Sequence, residues 1–211
     1  MKEYPILFSG PMVRAILAGR KTQTRRVVKR IKRIDGVDCV MDVDGLPSAL
    51  GYMNDGTDLC PYGTAGSHLW VRETWTLWDG GEHARRDGRG ITFRADCLNK
   101  YGVEDLDSQR CRADYGVKWR PSIFLPRWAS RLTLEITDVR VERLQDISEA
   151  DAQAEGVKQH ADEDQDGAPD AAQSRSYKQG VKDTWCDLHG AASWAANPFV
   201  WVIGFQRLEA K

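Results

Sequence analysis

The sequence predicts an α+β protein built on a small β-barrel, with short flanking helices and long loop insertions. Three observations support this prediction. Apolar runs with strand spacing occur at residues 68–75, 131–141 and 199–205. Helical spacing is confined to short stretches, and polar, irregular segments separate these from the strands.

The 211 residues are enough for one domain that carries long insertions. Hydrophobic residues make up 41 % of the chain, so a sizeable core can form. We find no internal repeat and no second domain boundary, and therefore expect a single domain over residues 1–211. Its insertions are expected at about 35–66, 79–118 and 158–193.

The first half of the chain contains one clear helix and one clear turn. Ser9 and Gly10, followed by Pro11, are typical of a helix start, and Gly19 is suited to a left-handed cap at the end. Residues 31–47 read as a hairpin around the tight-turn dipeptide Asp35-Gly36.

The strands and helices of the second half follow from spacing and capping residues. Leu132, Leu134 and Ile136 alternate along the strand at 131–141. Ser148 with an acid three residues later predicts a short helix that ends at Gly156. Residues 177–188 have helical spacing, and the run at 199–205 is apolar on both faces.

Charge is unevenly distributed, although the formal net charge is only −1. Nine Lys or Arg and no acid lie between Arg14 and Arg33, and five acids and no base lie at 162–170. The basic stretch is either a solvated segment or a local anion-binding face. The acidic segment reads as a loop over residues 159–176.

Membrane and metal signals are weak. No run of about 18 apolar residues occurs and the first residues lack a signal-peptide layout, so we expect a cytoplasmic protein without a membrane partner. Five scattered cysteines suggest free thiols. Cys186 and His189 have ligand-like spacing, but two further zinc ligands at a known spacing are missing, so we expect no metal and no cofactor.

Glu73 is the most informative single residue. Alternation along the strand places it on the same face as Leu69, Val71 and Trp75, which should point into the barrel. Burial raises the pKa of a carboxyl group, as a general acid requires. The alternative is that Glu73 pairs with an arginine and only stabilises the fold.

Lys21 and Thr24 lie in the basic segment directly after the first helix. The neighbouring cations Arg20, Arg25 and Arg26 should lower the pKa of Lys21, so that a neutral amine can act as a base toward the Thr24 hydroxyl. In a fully extended chain the two side chains would face opposite ways, so they converge only if the chain turns. The alternative is a basic loop that binds phosphate without catalysis.

These residues carry a family resemblance. Residues 17–25, Leu-Ala-Gly-Arg-Lys-Thr-Gln-Thr-Arg, closely resemble the Gly-x-Lys-Thr-x-Thr-x-Arg signature of ASCH domains, and residues 69–75 resemble the second conserved block of that family. The layout is similar to the longer ASCH proteins of phages and prophages. The resemblance implies a PUA-like β-barrel, a superfamily of RNA-binding folds. It covers about residues 4–34, 60–78, 119–157 and 194–207.

The resemblance also implies an activity. One bacterial ASCH branch removes the acetyl group from N(4)-acetylcytidine, with a lysine as base, a threonine as nucleophile and a glutamate as proton donor. The matching residues here are Lys21, Thr24 and Glu73, which we expect to line one pocket for a nucleoside or RNA. This chain is about twice as long as that branch, and it has Gly66-Ser67 where many members have Gly-Asp. Residues expected to bind substrate or nucleic acid are Arg20, Arg25, Arg26, Arg72, Trp75 and Trp119.

Two other functions fit the same features. A non-catalytic RNA-binding module would use the basic stretch, the aromatic residues and the arginines at 85, 86, 89 and 94. A single-strand ribonuclease is a weaker interpretation, because the matching motifs contain no histidine. An accessory phage protein with a vestigial pocket is a last alternative.

Overall fold

The structure, a computed structural model, describes residues 1–41, 44, 47–49, 57–77, 90–97, 116, 118–157 and 176–208. Most of the insertion expected at about 79–118, and the loop predicted over 159–176 apart from its last residue, lie outside these residues. The chain divides into two compact units. The first comprises Met1–Ala18, Ser67–Glu135 and Arg207–Lys211, and the second comprises Gly19–Gly66 and Ile136–Gln206. The single domain expected over residues 1–211 stays a prediction.

The described elements are mostly strands. The strands are β1 (Glu3–Leu7), β2 (Gln23–Val27), β3 (Ile31–Ile34), β4 (Val37–Met41), β5 (Pro47–Ala49), β6 (His68–Arg72), β7 (Trp75–Leu77), β8 (Ile91–Phe93), β9 (Thr133–Arg143) and β10 (Phe199–Leu208). The α-helices are α1 (Gly10–Leu17), α2 (Glu149–Ala154), α3 (Tyr177–His189) and α4 (Ala191–Ala195). This mixture of a sheet core with few helices confirms the predicted α+β class.

In the first unit, three strands form the sheet. β1 pairs with β6 in parallel, with Tyr4 opposite Leu69. β6 pairs with the beginning of β9 in antiparallel fashion, with Leu69 opposite Leu134. β7 and β8 form a separate antiparallel ribbon, with Trp75 opposite Phe93. Trp75 and Phe93 belong to a core cluster with Ile91, Leu125 and Ala129.

In the second unit, β10 lies between β9 and β2. β10 pairs with β2 in antiparallel fashion, with Ile203 opposite Thr24. Leu144, Trp185, Val200 and Val202 pack into one core cluster of this unit. The ten-residue strand β10 is buried from Val200 to Phe205. This agrees with its sequence, which places apolar residues on both faces of the strand.

The described strands do not form the predicted closed barrel. Their order is β1-β6-β9-β10-β2, so β1 and β2 remain as two ends and the described sheet is open. The sequence pattern identifies strands but not their closure, because closure depends on long-range pairing that periodicity does not encode.

Helix and hairpin signals are confirmed where the structure describes them. α1 has Pro11 in its first turn, and Gly19 follows it with a φ of 71°. Asp35 and Gly36 adopt φ values of 50° and 84° between β3 and β4, as a tight hairpin turn requires. Ser148 caps α2 by accepting a hydrogen bond from the Asp151 N–H at 3.0 Å.

The strand predicted over residues 68–75 is wrong in its length. β6 ends at Arg72, and β7 starts at Trp75, so Glu73 and Thr74 lie between two strands. The predicted burial of Leu69, Val71 and Trp75 is nevertheless confirmed. Leu69, Val71, Glu73 and Trp75 are all buried, so the alternation continues across the break and the sequence does not reveal where β6 ends.

The described helices also bear on membrane insertion. None of them is both long enough and apolar enough to cross a bilayer.

Candidate functional site

Lys21 lies at the start of the second unit, where the chain forms an isolated antiparallel bridge with Glu155. Its side chain is only 1 % exposed. The amine donates hydrogen bonds to the Gln23 carbonyl at 2.8 Å, to the Glu155 carbonyl at 3.0 Å and to Glu155 Oε2 at 2.6 Å. A buried ammonium is therefore matched by a carboxylate and two carbonyl oxygens.

Burial lowers the pKa of the Lys21 ammonium, and the Glu155 carboxylate offsets part of this effect. Arg26 and Arg25 lower it further, but they contribute less than burial does. The direction agrees with the sequence argument. The main cause of the lowered pKa is burial, whereas the prediction from the sequence depends on repulsion between like charges. The depth at which a side chain is buried cannot be seen in a sequence.

Arg25 links Lys21 to a larger set of charges on β2, β9 and α2. Its guanidinium is 2 % exposed and contacts Glu142 Oε1 at 2.6 Å through Nη2. Through Nη1 it contacts Glu155 Oε1 at 3.1 Å. Glu155 therefore binds Lys21 with one carboxylate oxygen and Arg25 with the other. We call the group Lys21, Arg25, Glu142 and Glu155 the Lys21 cluster.

Arg140 and Asp151 extend the Lys21 cluster toward the surface. Arg140 donates to Glu142 Oε2 at 3.2 Å and to Asp151 Oδ1 at 2.9 Å. Asp151 Oδ2 lies 3.7 Å from Arg25. Hydrogen bonds from Ser148 and Arg140 outweigh the effect of burial and lower the pKa of Asp151, so this carboxylate is charged at neutral pH.

The other predicted residues of this segment have different surroundings. Thr24 is buried on β2, where strand alternation directs it away from Gln23 and Arg25 and where Ile203 is its cross-strand partner. Arg20 is exposed and donates to the Gly156 carbonyl at 3.0 Å. Arg26 is half-buried opposite Trp201. Residues 23–27 thus form a strand, not the turn or loop that the sequence interpretation expects. The sequence analysis requires a turn for Lys21 and Thr24 to converge, so their convergence stays a prediction.

Glu73 belongs to the first unit, and its side chain is 1 % exposed. Arg131 binds it with two parallel hydrogen bonds, from Nε to Oε1 and from Nη2 to Oε2, both at 2.9 Å. Arg131 also contacts Asp96 Oδ2 at 2.8 Å. Burial nevertheless raises the pKa of Glu73, and Arg131 offsets part of that rise.

Both sequence interpretations of Glu73 therefore have support within this unit. The carboxyl group is buried and has a raised pKa, as a proton donor needs, and it is also paired with an arginine. Because Glu73 lies in one compact unit and Lys21 and Thr24 in the other, their sharing of one pocket stays a prediction.

The aromatic residues predicted to stack on a base lie in the first unit. Trp75 is buried in its core cluster, and Arg120 lies over its ring at 5.1 Å from the centroid. Trp119 is half-buried. Arg72 lies over the Trp70 ring at 4.5 Å. In these contacts an arginine of the chain itself covers one face of each tryptophan ring. The binding roles of Arg72, Trp75 and Trp119 stay predictions.

Sequence reasoning missed the acidic partners of Lys21 and Arg25 in the second unit. Glu155 is 134 positions from Lys21 and stands at the end of a short helix, where no pattern marks it. A signal did exist on β9, because Asp138, Arg140 and Glu142 are spaced by two residues and so share one strand face. Alternating charges on one face of a half-buried strand indicate a charge network.

Metal ligation has no candidate among the described residues, which contain no group of three or more His, Cys, Asp or Glu arranged to hold an ion. His189 instead packs against Trp185, with ring centroids 4.5 Å apart. The described cysteines Cys39, Cys60, Cys97 and Cys186 are free thiols, as predicted.

No family model matches the chain, and neither the curated proteins nor the solved structures contain a match.

Proposed function

We propose that this chain is an ASCH-type protein of the PUA-like superfamily that acts as an amidohydrolase, removing an acyl group from N(4)-acetylcytidine or a related modified base. The observation that carries the proposal is the buried amine of Lys21. Burial lowers its pKa, in the direction of the neutral form that a catalytic base requires, and Glu155 offsets part of this shift.

The properties of Glu73 support the second part of the proposal. A proton donor must retain its proton near neutral pH, and the raised pKa of Glu73 shifts it in that direction. Arg131 binds both carboxyl oxygens and fixes their orientation. Glu73 is therefore assigned the proton-donor role that the family resemblance implies.

The reaction assigns one step to each residue. Lys21 accepts the proton of the Thr24 hydroxyl, and the Thr24 oxygen attacks the acetyl carbonyl. The C–N bond of the amide then breaks, Glu73 donates a proton to the departing exocyclic nitrogen, and an acetyl ester remains on Thr24. Water then attacks this ester, Lys21 returns its proton to the departing Thr24 oxygen, and Glu73 regains a proton from the water as acetate is released. General acid–base assistance of this kind contributes roughly 10²–10⁴-fold to a rate.

A non-catalytic RNA-binding module is the second candidate, and a different observation favours it. The side chains of Lys29, Arg30, Lys32 and Arg33 are exposed at the start of the β3–β4 hairpin. Exposed cations on a hairpin contact the phosphates of a nucleic acid without reacting with it.

The test is to incubate the purified protein with N(4)-acetylcytidine and with single-stranded RNA that contains it, and to measure cytidine and acetate. Wild type is compared with Lys21→Ala, Thr24→Ala and Glu73→Gln. The matched control is Lys178→Ala, because Lys178 is an exposed lysine on α3 outside the Lys21 cluster.

The hydrolase predicts acetate release by wild type and Lys178→Ala, and a loss of at least about 100-fold in kcat in the other three variants. Wild-type protein that releases no acetate but binds RNA in a salt-sensitive manner contradicts it and supports the binding module. RNA fragments among the products would instead indicate a ribonuclease.

A further inference from the structure

We propose that Glu155 is a positioning residue for Lys21, holding the amine against its own carboxylate and carbonyl oxygen and so setting the direction and charge of the group that accepts the proton. This inference rests on the proposed hydrolase function. It concerns a residue that no motif in the sequence marks.

The contacts at Glu155 are directed at the Lys21 amine. Two of the three hydrogen bonds described for the amine end on Glu155, one on its carbonyl oxygen at 3.0 Å and one on its carboxylate at 2.6 Å. The backbone of Thr22 also donates to the Ala154 carbonyl at 2.9 Å. A lysine side chain has many rotamers, and contacts from the same residue through both main chain and side chain restrict it to one position.

The carboxylate itself is fixed from the other side. Glu155 Oε1 accepts from Arg25 at 3.1 Å, and Arg25 is held by Glu142 at 2.6 Å. Glu155 is 12 % exposed and ends α2 in helical conformation, and Gly156 follows with a φ of 79°. Its two carboxylate oxygens therefore bind two different cations, which fixes the orientation of the carboxylate.

The other charged groups around the amine do not replace Glu155. Arg25 and Arg26 from β2 act on the charge of the amine, and Tyr62 acts on Arg26. Glu142 from β9 and Asp151 from α2 pair with Arg25, and Arg140 from β9 pairs with both of these carboxylates. Arg25 and Arg26 disfavour a charge on Lys21, and Glu142 and Asp151 are bound to arginines. Glu155 places a carboxylate oxygen 2.6 Å from the amine, so we expect its removal to lower the pKa of Lys21 further.

The titration of Lys21 tests this directly. The protein is prepared with lysine labelled at Cε, and the Lys21 NMR signal is assigned by its absence in Lys21→Arg. Glu155→Gln is expected to lower the pKa of Lys21 by at least about one unit, because an opposite charge in contact shifts a pKa by roughly 1–3 units. The matched control is Glu142→Gln, which removes a carboxylate of the same cluster that binds Arg25, and a shift less than half as large is expected.

Activity supplies the second readout. A neutral amine is the base, so kcat rises with pH as Lys21 loses its proton. In Glu155→Gln this rise moves to lower pH, and the maximal kcat falls by on the order of tenfold to a hundredfold because the amine is no longer held in place. A residue that only stabilises the fold would not move the pH profile.

The hydrolase reaction and the positioning role of Glu155 can be refuted independently of each other. A wild-type protein without hydrolase activity refutes the proposed reaction, whereas the Lys21 titration still decides whether Glu155 controls the amine. Equal Lys21 pKa values in wild type and folded Glu155→Gln overturn the inference. If Glu155→Gln does not fold, Glu155→Asp is used instead. Its side chain is shorter by one methylene, which moves the carboxylate away from the Lys21 amine and should also lower the pKa of Lys21. An unchanged value in that variant overturns the inference as well.

Discussion

Two buried charged side chains, Lys21 and Glu73, are the residues on which the proposed chemistry depends. Burial shifts both toward their neutral forms, lowering the pKa of the amine and raising that of the carboxyl group. Each shift is partly offset by an ion pair, with Glu155 for Lys21 and with Arg131 for Glu73. The pKa values of Lys21 and Glu73 therefore report how far each ion pair offsets the effect of burial.

Glu73 makes the free energy of unfolding depend on pH. Its pKa is higher in the folded than in the unfolded protein, so its contribution is fully present below the unfolded value and is lost as pH rises through the folded value. We expect the stability of wild type relative to Glu73→Gln to fall as pH rises above about 4.5, by about 1.4 kcal/mol for each unit of pKa difference. Urea unfolding between pH 4 and about 8 measures it.

Glu3 serves as a control, because its pKa is shifted in the opposite direction to that of Glu73. Its hydrogen bonds with Arg127 lower its pKa, so its contribution is present above the unfolded value and is lost as pH falls through the folded value. The stability of wild type relative to Glu3→Gln should therefore decrease toward acid pH. The same pH dependence in both comparisons would contradict the assignment of a raised pKa to Glu73.

Arg25 is expected to be the most costly residue to remove from the Lys21 cluster. Arg25→Met leaves two largely buried carboxylates, Glu142 and Glu155, without this cation. We expect a loss of about 3–5 kcal/mol in the free energy of unfolding. Arg140→Met is the matched control, because Arg140 also binds Glu142 but is 36 % exposed, and it should cost about 1 kcal/mol or less. Equal losses would show that burial does not determine the cost.

At the scale of elements, the short helix α2 positions the acidic half of the site. It carries Asp151, and Glu155 follows its last residue. Six residues are too few for a helix to be stable by itself, so its ends must be held by capping and packing. Ser148 provides the N-cap, and Ala152 packs with Ile147 and Val181 in a core cluster.

Removal of this cap should destabilise the protein. Ser148→Ala loses the hydrogen bond to the Asp151 N–H at 3.0 Å and the one from the Ser148 hydroxyl to Asp151 Oδ2 at 2.8 Å. We expect a decrease of about 1 kcal/mol in the free energy of unfolding, measured with urea. Ser148→Thr retains the hydroxyl and should cost only a few tenths of a kcal/mol. A threonine variant as unstable as the alanine variant would argue against the capping role.

At the scale of the whole molecule, strand β9 belongs to both compact units. Its first residues, Thr133 to Glu135, lie in the first unit and the remainder lies in the second. One strand therefore carries the chain from the first unit into the second without an intervening loop. We expect the two units to unfold in a single cooperative transition.

Two buried cysteines report on the two units. Cys97 lies in the first and Cys60 in the second. Burial raises the pKa of Cys60 to about 11, so only about one thiol in a thousand is ionised at pH 8 in the native state. Labelling with a thiol reagent across a urea series, with mass spectrometry of each site, should give the same midpoint for both. Separate midpoints would contradict a single transition.

Local features could be predicted from the sequence because neighbouring residues determine them. Pro11 and Gly19 bound the first helix, Asp35 and Gly36 form the hairpin turn, and Ser148 caps α2. β2 was not recognised as a strand because its polar and basic residues lack apolar alternation. Its burial results from pairing with β10 and from the acidic side chains that neutralise Arg25.

The α+β class, the helix ends, the hairpin turn and the burial of Glu73 can be predicted from the sequence, since each follows from backbone preferences or from spacing within a few residues. The open order of the described sheet and the ion pairs of Lys21 with Glu155 and of Glu73 with Arg131 depend on the folded chain. These partners lie 134 and 58 positions away along the chain. A buried charge requires a partner, but which residue supplies it depends on the fold that brings distant segments together.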